Sequence, residues 1–159
     1  MRIAILLAAL SITATSTITA TSTTTALAAE DITYRKNIRP LTEQKCVACH
    51  GKDSPYLGEF EENKDKFKAL MRGPRMDTYA DLVAFVGWPD TGAVMRRLDD
   101  GKSTKDGKPG NMYQFLGADE AERQKNLALF KAWVGEGAWF LGRFPELDKA
   151  TLTKMKVKE

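Results

Sequence analysis

Cys46-Val47-Ala48-Cys49-His50 places two thiols at a Cys-x-x-Cys spacing, with an imidazole directly after the second. Such a run is the attachment sequence of a c-type haem. Each thiol adds to one vinyl group of the porphyrin, and two intervening residues match the spacing of the vinyls along one ring edge. His50 then lies under the iron and supplies a neutral imidazole as the proximal ligand. The segment Thr42 to His50 is predicted to be a short helix, stopped at Gly51 as a left-handed cap.

The rest of the chain narrows this reading by what it lacks. It holds only these two cysteines and a single histidine. A structural zinc site needs four Cys/His ligands and cannot be assembled. A second histidine cannot ligate the iron from within the chain. A thioredoxin-type dithiol or a plain disulfide is the competing reading of the pair. No βαβ pattern surrounds Cys46, however, and that reading leaves His50 without a role.

The first thirty residues read as a separate element. Met1-Arg2 is a basic start, Ile3 to Leu10 is an unbroken apolar run, and a Ser/Thr/Ala-rich stretch ends in Ala26-Leu27-Ala28. This order is that of a secretory signal peptide with an A-x-A cleavage site, which makes 1–28 the leader. A membrane anchor is the rival, but a span takes about 20 apolar residues. Nothing after residue 30 reads as a transmembrane segment. The expected product is a periplasmic, monomeric domain over 29–140 with a C-terminal extension over 141–159. The full chain carries 24 Lys and Arg against 21 Asp and Glu, well mixed. That balance argues against a nucleic-acid partner.

Helical periodicity dominates the mature chain, with no alternating strand segment, so the fold class is all-α with about four to five helices. Tyr34, Ile38 and Leu41 recur at helical spacing, with Pro40 limiting regular helix. Phe60, Phe67 and Leu70 are the apolar anchors of a charged stretch, with a helix over Lys64 to Met71 ended by Gly73-Pro74. Thr78 to Asp81 resembles a capping box opening a helix to Val86. A further helix spans Gly92 to Leu98, and Asp99 to Asn111 is a Gly-rich loop. The longest helix starts near Asp119, with Leu127, Phe130, Val134 and Ala138 facing inward beside Leu129 and Trp133. The last ten residues read as unpacked.

The second axial ligand decides between electron transfer and chemistry at the iron. The candidates are Met71, Met76, Met95, Met112, Met155 or a lysine. Met112 leads, because it follows a flexible loop and precedes a well-defined helix. Met76 and Met95 stay open as alternatives, and ordinary core packing is the competing role for each.

The order of a Cys-x-x-Cys-His helix, middle helices, a Gly-rich loop with a Met, and a closing aromatic helix resembles the class I cytochrome c family. The matching pieces are Cys46, Cys49, His50, Met112 and Leu127 to Trp133, with Asn37-Ile38-Arg39-Pro40-Leu41 resembling the entry segment of bacterial members. The family usually has Pro after the Met; this chain has Tyr113. The resemblance implies one covalently bound haem c, with Cys46, Cys49, His50 and Met112 as its binding residues and His50 and Met112 on the metal. It also implies packing of Tyr34 and Ile38 near Phe130, Trp133 and Val134.

The function expected is one-electron transfer rather than catalysis, with redox partner proteins docking at an exposed haem edge. Lys45, Lys52, Lys102, Lys105 and Lys108 are candidates for steering an acidic partner. The alternatives are a high-spin haem protein with an open sixth site, for which Arg75 or Tyr113 would stand in for a distal histidine, and a cytochrome subunit of a larger oxidoreductase.

Overall fold

The computed structural model describes residues 31–135, 137–143, 146 and 148–159. The expected leader, 1–28, lies outside the described residues. Among these residues there are eight α-helices, one π-helical turn, one 3-10 turn and no strand. The all-α expectation holds, although the helices are shorter and more numerous than expected. None is long and apolar enough to cross a membrane, among the described residues.

The chain enters through a π-helical turn, Tyr34–Ile38, capped by the Thr33 side chain on Lys36 N. It continues directly into α1 (Arg39–Lys45), with Pro40 in the first turn. Pro is tolerated there because the first amides have no intrahelical acceptor. The predicted Thr42–His50 helix is divided at Cys46, and α2 (Val47–His50) carries the end of the motif. Gly51 is extended, not left-handed. Its requirement is spatial: a Cβ there would press on the Val47 carbonyl.

Helices α3 (Leu57–Glu62) and α4 (Lys64–Ala69) form a charged pair. Phe60 and Phe67 stack with centroids 6.3 Å apart. Leu70, expected as a third anchor, is exposed. Helix α5 (Tyr79–Ala84) starts at Thr78, whose hydroxyl accepts from Asp81 N. Helix α6 (Ala93–Leu98) follows Gly92, which sits at φ 75° and would have no room for a side chain. After the loop, a 3-10 turn over Tyr113–Leu116 leads to α7 (Glu120–Val134), capped by Asp119.

Helix α7 organises the core. Leu127, Phe130, Trp133 and Val134 are buried, as their spacing predicts. The Tyr34 and Trp133 rings lie 6.4 Å apart, so the first and last core elements pack as expected. Asn126, which the apolar pattern does not single out, is also buried and donates to the Leu116 carbonyl at 2.6 Å.

The last residues are not loose. After α8 (Lys149–Leu152), the chain lies along the end of α7. Lys156 N donates to Val134 O, and Val157 N to Trp133 O, at 2.8 and 2.9 Å. The Lys158 carbonyl accepts from Tyr34 N and from Trp133 Nε1. Tyr79 Oη donates to the Val157 carbonyl. In Lys154-Met155-Lys156-Val157-Lys158 the apolar residues alternate with lysines, and Met155 and Val157 pack against the core while the lysines stay exposed. The partners of this tail are the buried ends of α7 and of the first turn.

Trp133 joins helix, first turn and tail, and it is fully buried. Trp133→Ala should cost about 3–5 kcal/mol in chemical denaturation of the holoprotein, as for large core truncations. Trp133→Phe keeps most of the bulk but leaves the Lys158 carbonyl without its indole donor, and should cost about 1–2 kcal/mol.

Candidate functional site

A cleft of about 510 Å³ opens between the motif helix and the α6–3-10 region. Cys46 and Cys49 line it together with His50. Its walls are largely apolar, including Leu57, Phe60, Leu82, Phe85, Val94, Leu98, Leu116 and Phe130. This is the lining expected of a pocket for a large flat hydrophobic ring. Burial pushes the Cys46 thiol up to about 11. A thiol in that setting is a poor candidate for a redox dithiol, which needs a lowered pKa.

The imidazole is fixed from behind. His50 Nδ1 lies 2.7 Å from the Pro74 carbonyl. A carbonyl only accepts, so Nδ1 carries the proton and Nε2 keeps its lone pair. Burial is the main influence on this ring and lowers its pKa, with the Pro74 bond opposing it. Both the neutral state and the tautomer are those a metal ligand needs.

The segment that supplies Pro74 is sewn to the motif. Gly73 N donates to Cys49 O at 2.8 Å, and Met76 N donates to His50 O at 2.9 Å. Arg72 Nη1 reaches the Ala48 carbonyl, and Ser54 Oγ the Cys49 carbonyl. Arg75 holds this segment in place, pairing with Asp77 and donating to Tyr56 Oη at 2.9 Å. Gly73 lies against the imidazole so closely that a Cβ would collide with Cε1, Nδ1 and Nε2. Gly73-Pro74 therefore does more than end a helix. The dipeptide was legible only as a breaker, because its target is 23 residues away in the chain.

The methionines separate by position. Met95 is fully buried and does not line the cleft; it packs in the core. Met155 also packs against the core and lies outside the cleft lining. Met71, Met76 and Met112 all line the cleft. Met76 belongs to the 73–76 segment, its amide bonded to the His50 carbonyl. Met71 follows α4 and is 75% exposed. Met112 comes from a different part of the fold, its amide bonded to the Arg97 carbonyl at 2.9 Å. Phe115 is 56% exposed and lines the cleft.

The charged candidates also separate. Lys45 is committed to Glu122 at 2.7 Å and Lys102 to Asp100 at 2.9 Å. Lys52, Lys105 and Lys108 are exposed. Arg72 and Lys68, not singled out in advance, line the cleft. Arg75 and Tyr113 do not. Trp139 covers the fold: its Nε1 donates to Asp99 Oδ2 at 2.8 Å, and Lys131 lies over its ring.

The donor set and the cleft fit a covalently attached haem. Two thiols at vinyl spacing, one neutral imidazole and an apolar slot occur together, with Gly73 keeping the space at the imidazole clear. Comparison with known proteins agrees. The family model described as PccH cytochrome c matches residues 33–159. The structure of monohaem cytochrome PccH from Geobacter sulfurreducens is similar at 51% identity and a TM-score of 0.75. That likeness covers 81% of this chain and 99% of the other. No curated protein matches the chain. The chain belongs to the PccH cytochrome c family, and as a monohaem cytochrome c it carries one covalently bound haem c.

Proposed function

We propose that this protein is an exported one-electron carrier whose single haem is attached through Cys46 and Cys49 and ligated by His50 and Met112. The observation that supports the ligation is the placement of one nitrogen donor, His50, and one sulfur donor, Met112, from separate parts of the fold in one cleft. The haem, when bound, supplies an iron that cycles between the ferric and ferrous states. The protein's part is to hold donors, exclude water and expose an edge.

His50 is presented as a neutral imidazole with Nδ1 bonded to Pro74. Met112 offers a thioether, which favours the ferrous state and raises the potential. Met76 shares the imidazole's side of the cleft through its bond to His50 O, which counts against it as the ligand opposite. Met95 packs in the core and outside the cleft lining, which counts against it as a ligand. An open, chemically active sixth site gains no support from the side chains offered for it. The Arg75 guanidinium is engaged with Asp77 and Tyr56, and the Tyr113 hydroxyl with Glu120.

Partners are redox proteins, as for the family. Lys68 and Arg72 at the cleft, with exposed Lys52 near the motif, would face an acidic partner at the thiol edge. Such docking is small in area and transient. The basic start, apolar run and Ala26-Leu27-Ala28 support removal of 1–28 and a periplasmic location. Thiol attachment of haem suits that compartment.

The oxidised protein should show the weak far-red band of sulfur-to-iron ligation, and Met112→Ala should abolish it. The same variant should lower the reduction potential by on the order of 100–200 mV, within the ~0.8 V range that axial ligands set. A high-spin spectrum in the wild type would overturn the His/Met assignment, and survival of the band in Met112→Ala would move the ligand elsewhere. Gly73→Ala should displace the imidazole and shift the potential without altering haem content, measured by redox titration alongside a haem-to-protein ratio.

A further inference from the structure

The loop from Asp99 to Met112 is tied near both ends to one polar cluster at the start of α7, through Asp100 near its start and Tyr113, the residue after Met112. At its start, Asp99 Oδ1 accepts from Gly101 N, and Asp99 Oδ2 accepts from Trp139 Nε1, both at 2.8 Å. The neighbouring Asp100 carboxylate receives Gln124 Nε2 at 3.0 Å. At its end, the Tyr113 hydroxyl donates to Glu120 Oε1 at 2.6 Å. Gln124 Nε2 lies 2.8 Å from that same hydroxyl and 3.0 Å from Glu120 Oε1. Arg123 lies over the Tyr113 ring and pairs with Glu120. One amide on α7 thus touches both ends of the loop.

The backbone closes the same loop. Gly110 N donates to Asp99 O and Met112 N to Arg97 O. Gly110 packs so tightly on the Arg96 and Arg97 carbonyls that no Cβ would fit. Tyr113 is the residue beside Met112 and it is buried, with its hydroxyl turned to α7 and away from the cleft lining. A proline after Met112 would restrict the backbone by its ring. Tyr113 instead reaches sideways and ties its own residue to a long, core-packed helix. The Glu120 carboxyl is held at about 2 by its bonds from Tyr113, Gln124 and Arg123, so this acceptor is ionised at neutral pH.

We propose that Tyr113, through Glu120 and Gln124, is a positioning residue that keeps Met112 on the iron by locking the 99–112 loop shut. The inference rests on Met112 as the sixth ligand and names what holds it there. An external ligand reaches the iron only when the loop opens, so its apparent affinity is scaled by the open population. Removing one hydroxyl from the buckle raises that population without touching the iron or the thioether.

The test titrates ferric holoprotein with imidazole and reads the loss of the far-red band. Tyr113→Phe should bind imidazole about five- to tenfold more tightly than wild type, which is ~1–1.4 kcal/mol of opening free energy. Gln124→Leu should move affinity in the same direction, and the double variant should gain less than the sum, because both act through one cluster. Tyr79→Phe removes a hydroxyl that bonds the tail instead, and should leave imidazole affinity unchanged even where it lowers the melting temperature. If wild type shows the band, Met112→Ala loses it, and both Tyr113→Phe and Gln124→Leu bind imidazole with wild-type affinity, the proposal is overturned while the ligation stands. A wild type without the band overturns the ligation and the proposal together. Should Tyr113→Phe fail to fold, an unchanged affinity in Gln124→Leu alone overturns the proposal.

Discussion

The hydrogen bond from His50 Nδ1 to the Pro74 carbonyl joins two stretches of chain that sequence distance keeps apart. It selects the tautomer, orients the ring and leaves Nε2 as the only basic atom. The bond needs Pro74 to approach closely, and that approach needs Gly73 to carry no side chain. The surrounding backbone bonds, Gly73 to Cys49 and Met76 to His50, make the 73–76 segment an extension of the motif. Arg75 then anchors this segment to Tyr56 and Asp77, so the start of α3 is tied to the imidazole through a chain of contacts.

The cleft places different demands on its two sides. The imidazole side is held by backbone bonds over a few residues. The Met112 side depends on a loop, and loops open more readily than packed helices. Burial of Leu116 and the Asn126 bond to its carbonyl secure the turn that follows Met112. The Tyr113–Glu120–Gln124–Asp100 cluster secures the residue beside it. Helix α7 therefore serves two purposes: its apolar face builds the core with Tyr34 and Ile38, while its first two turns hold the loop.

What the sequence made legible was local in character. Cys46, Cys49 and His50 are related to one another by spacing alone, and the stripe from Leu127 to Val134 on α7 by a helical period. The Asp119 and Thr78 caps follow from side chains adjacent to their targets. Features set by distant partners were not legible. Met95 looks like any other candidate until α6 is seen to bury it. Leu70 carries an apolar side chain in a helical pattern, yet α4 ends at Ala69 and leaves it outward. The tail's alternation, Met155 and Val157 between lysines, is too short to stand out along the chain, and its order comes from Trp133, Val134, Tyr34 and Tyr79. Gly51 and Gly73 show the same limit. Glycine signals a special backbone or a close approach, and only the partner tells which.

Tyr113 illustrates why a departure from a family pattern need not weaken an assignment. Read along the chain, the absence of proline after Met112 removes one means of stiffening the backbone. Read in three dimensions, the same position carries a hydroxyl bonded to an ionised carboxylate and to an amide that also grips the loop's first residues. A proline ring acts only on its own φ and on the residue before it. A side chain tied to α7 resists motion of the entire loop, because opening it must break bonds at both ends together. The constraint has moved from the backbone to a polar cluster. That cluster depends on residues 120 and 124 being one helical turn apart, on a helix that the core already holds in place.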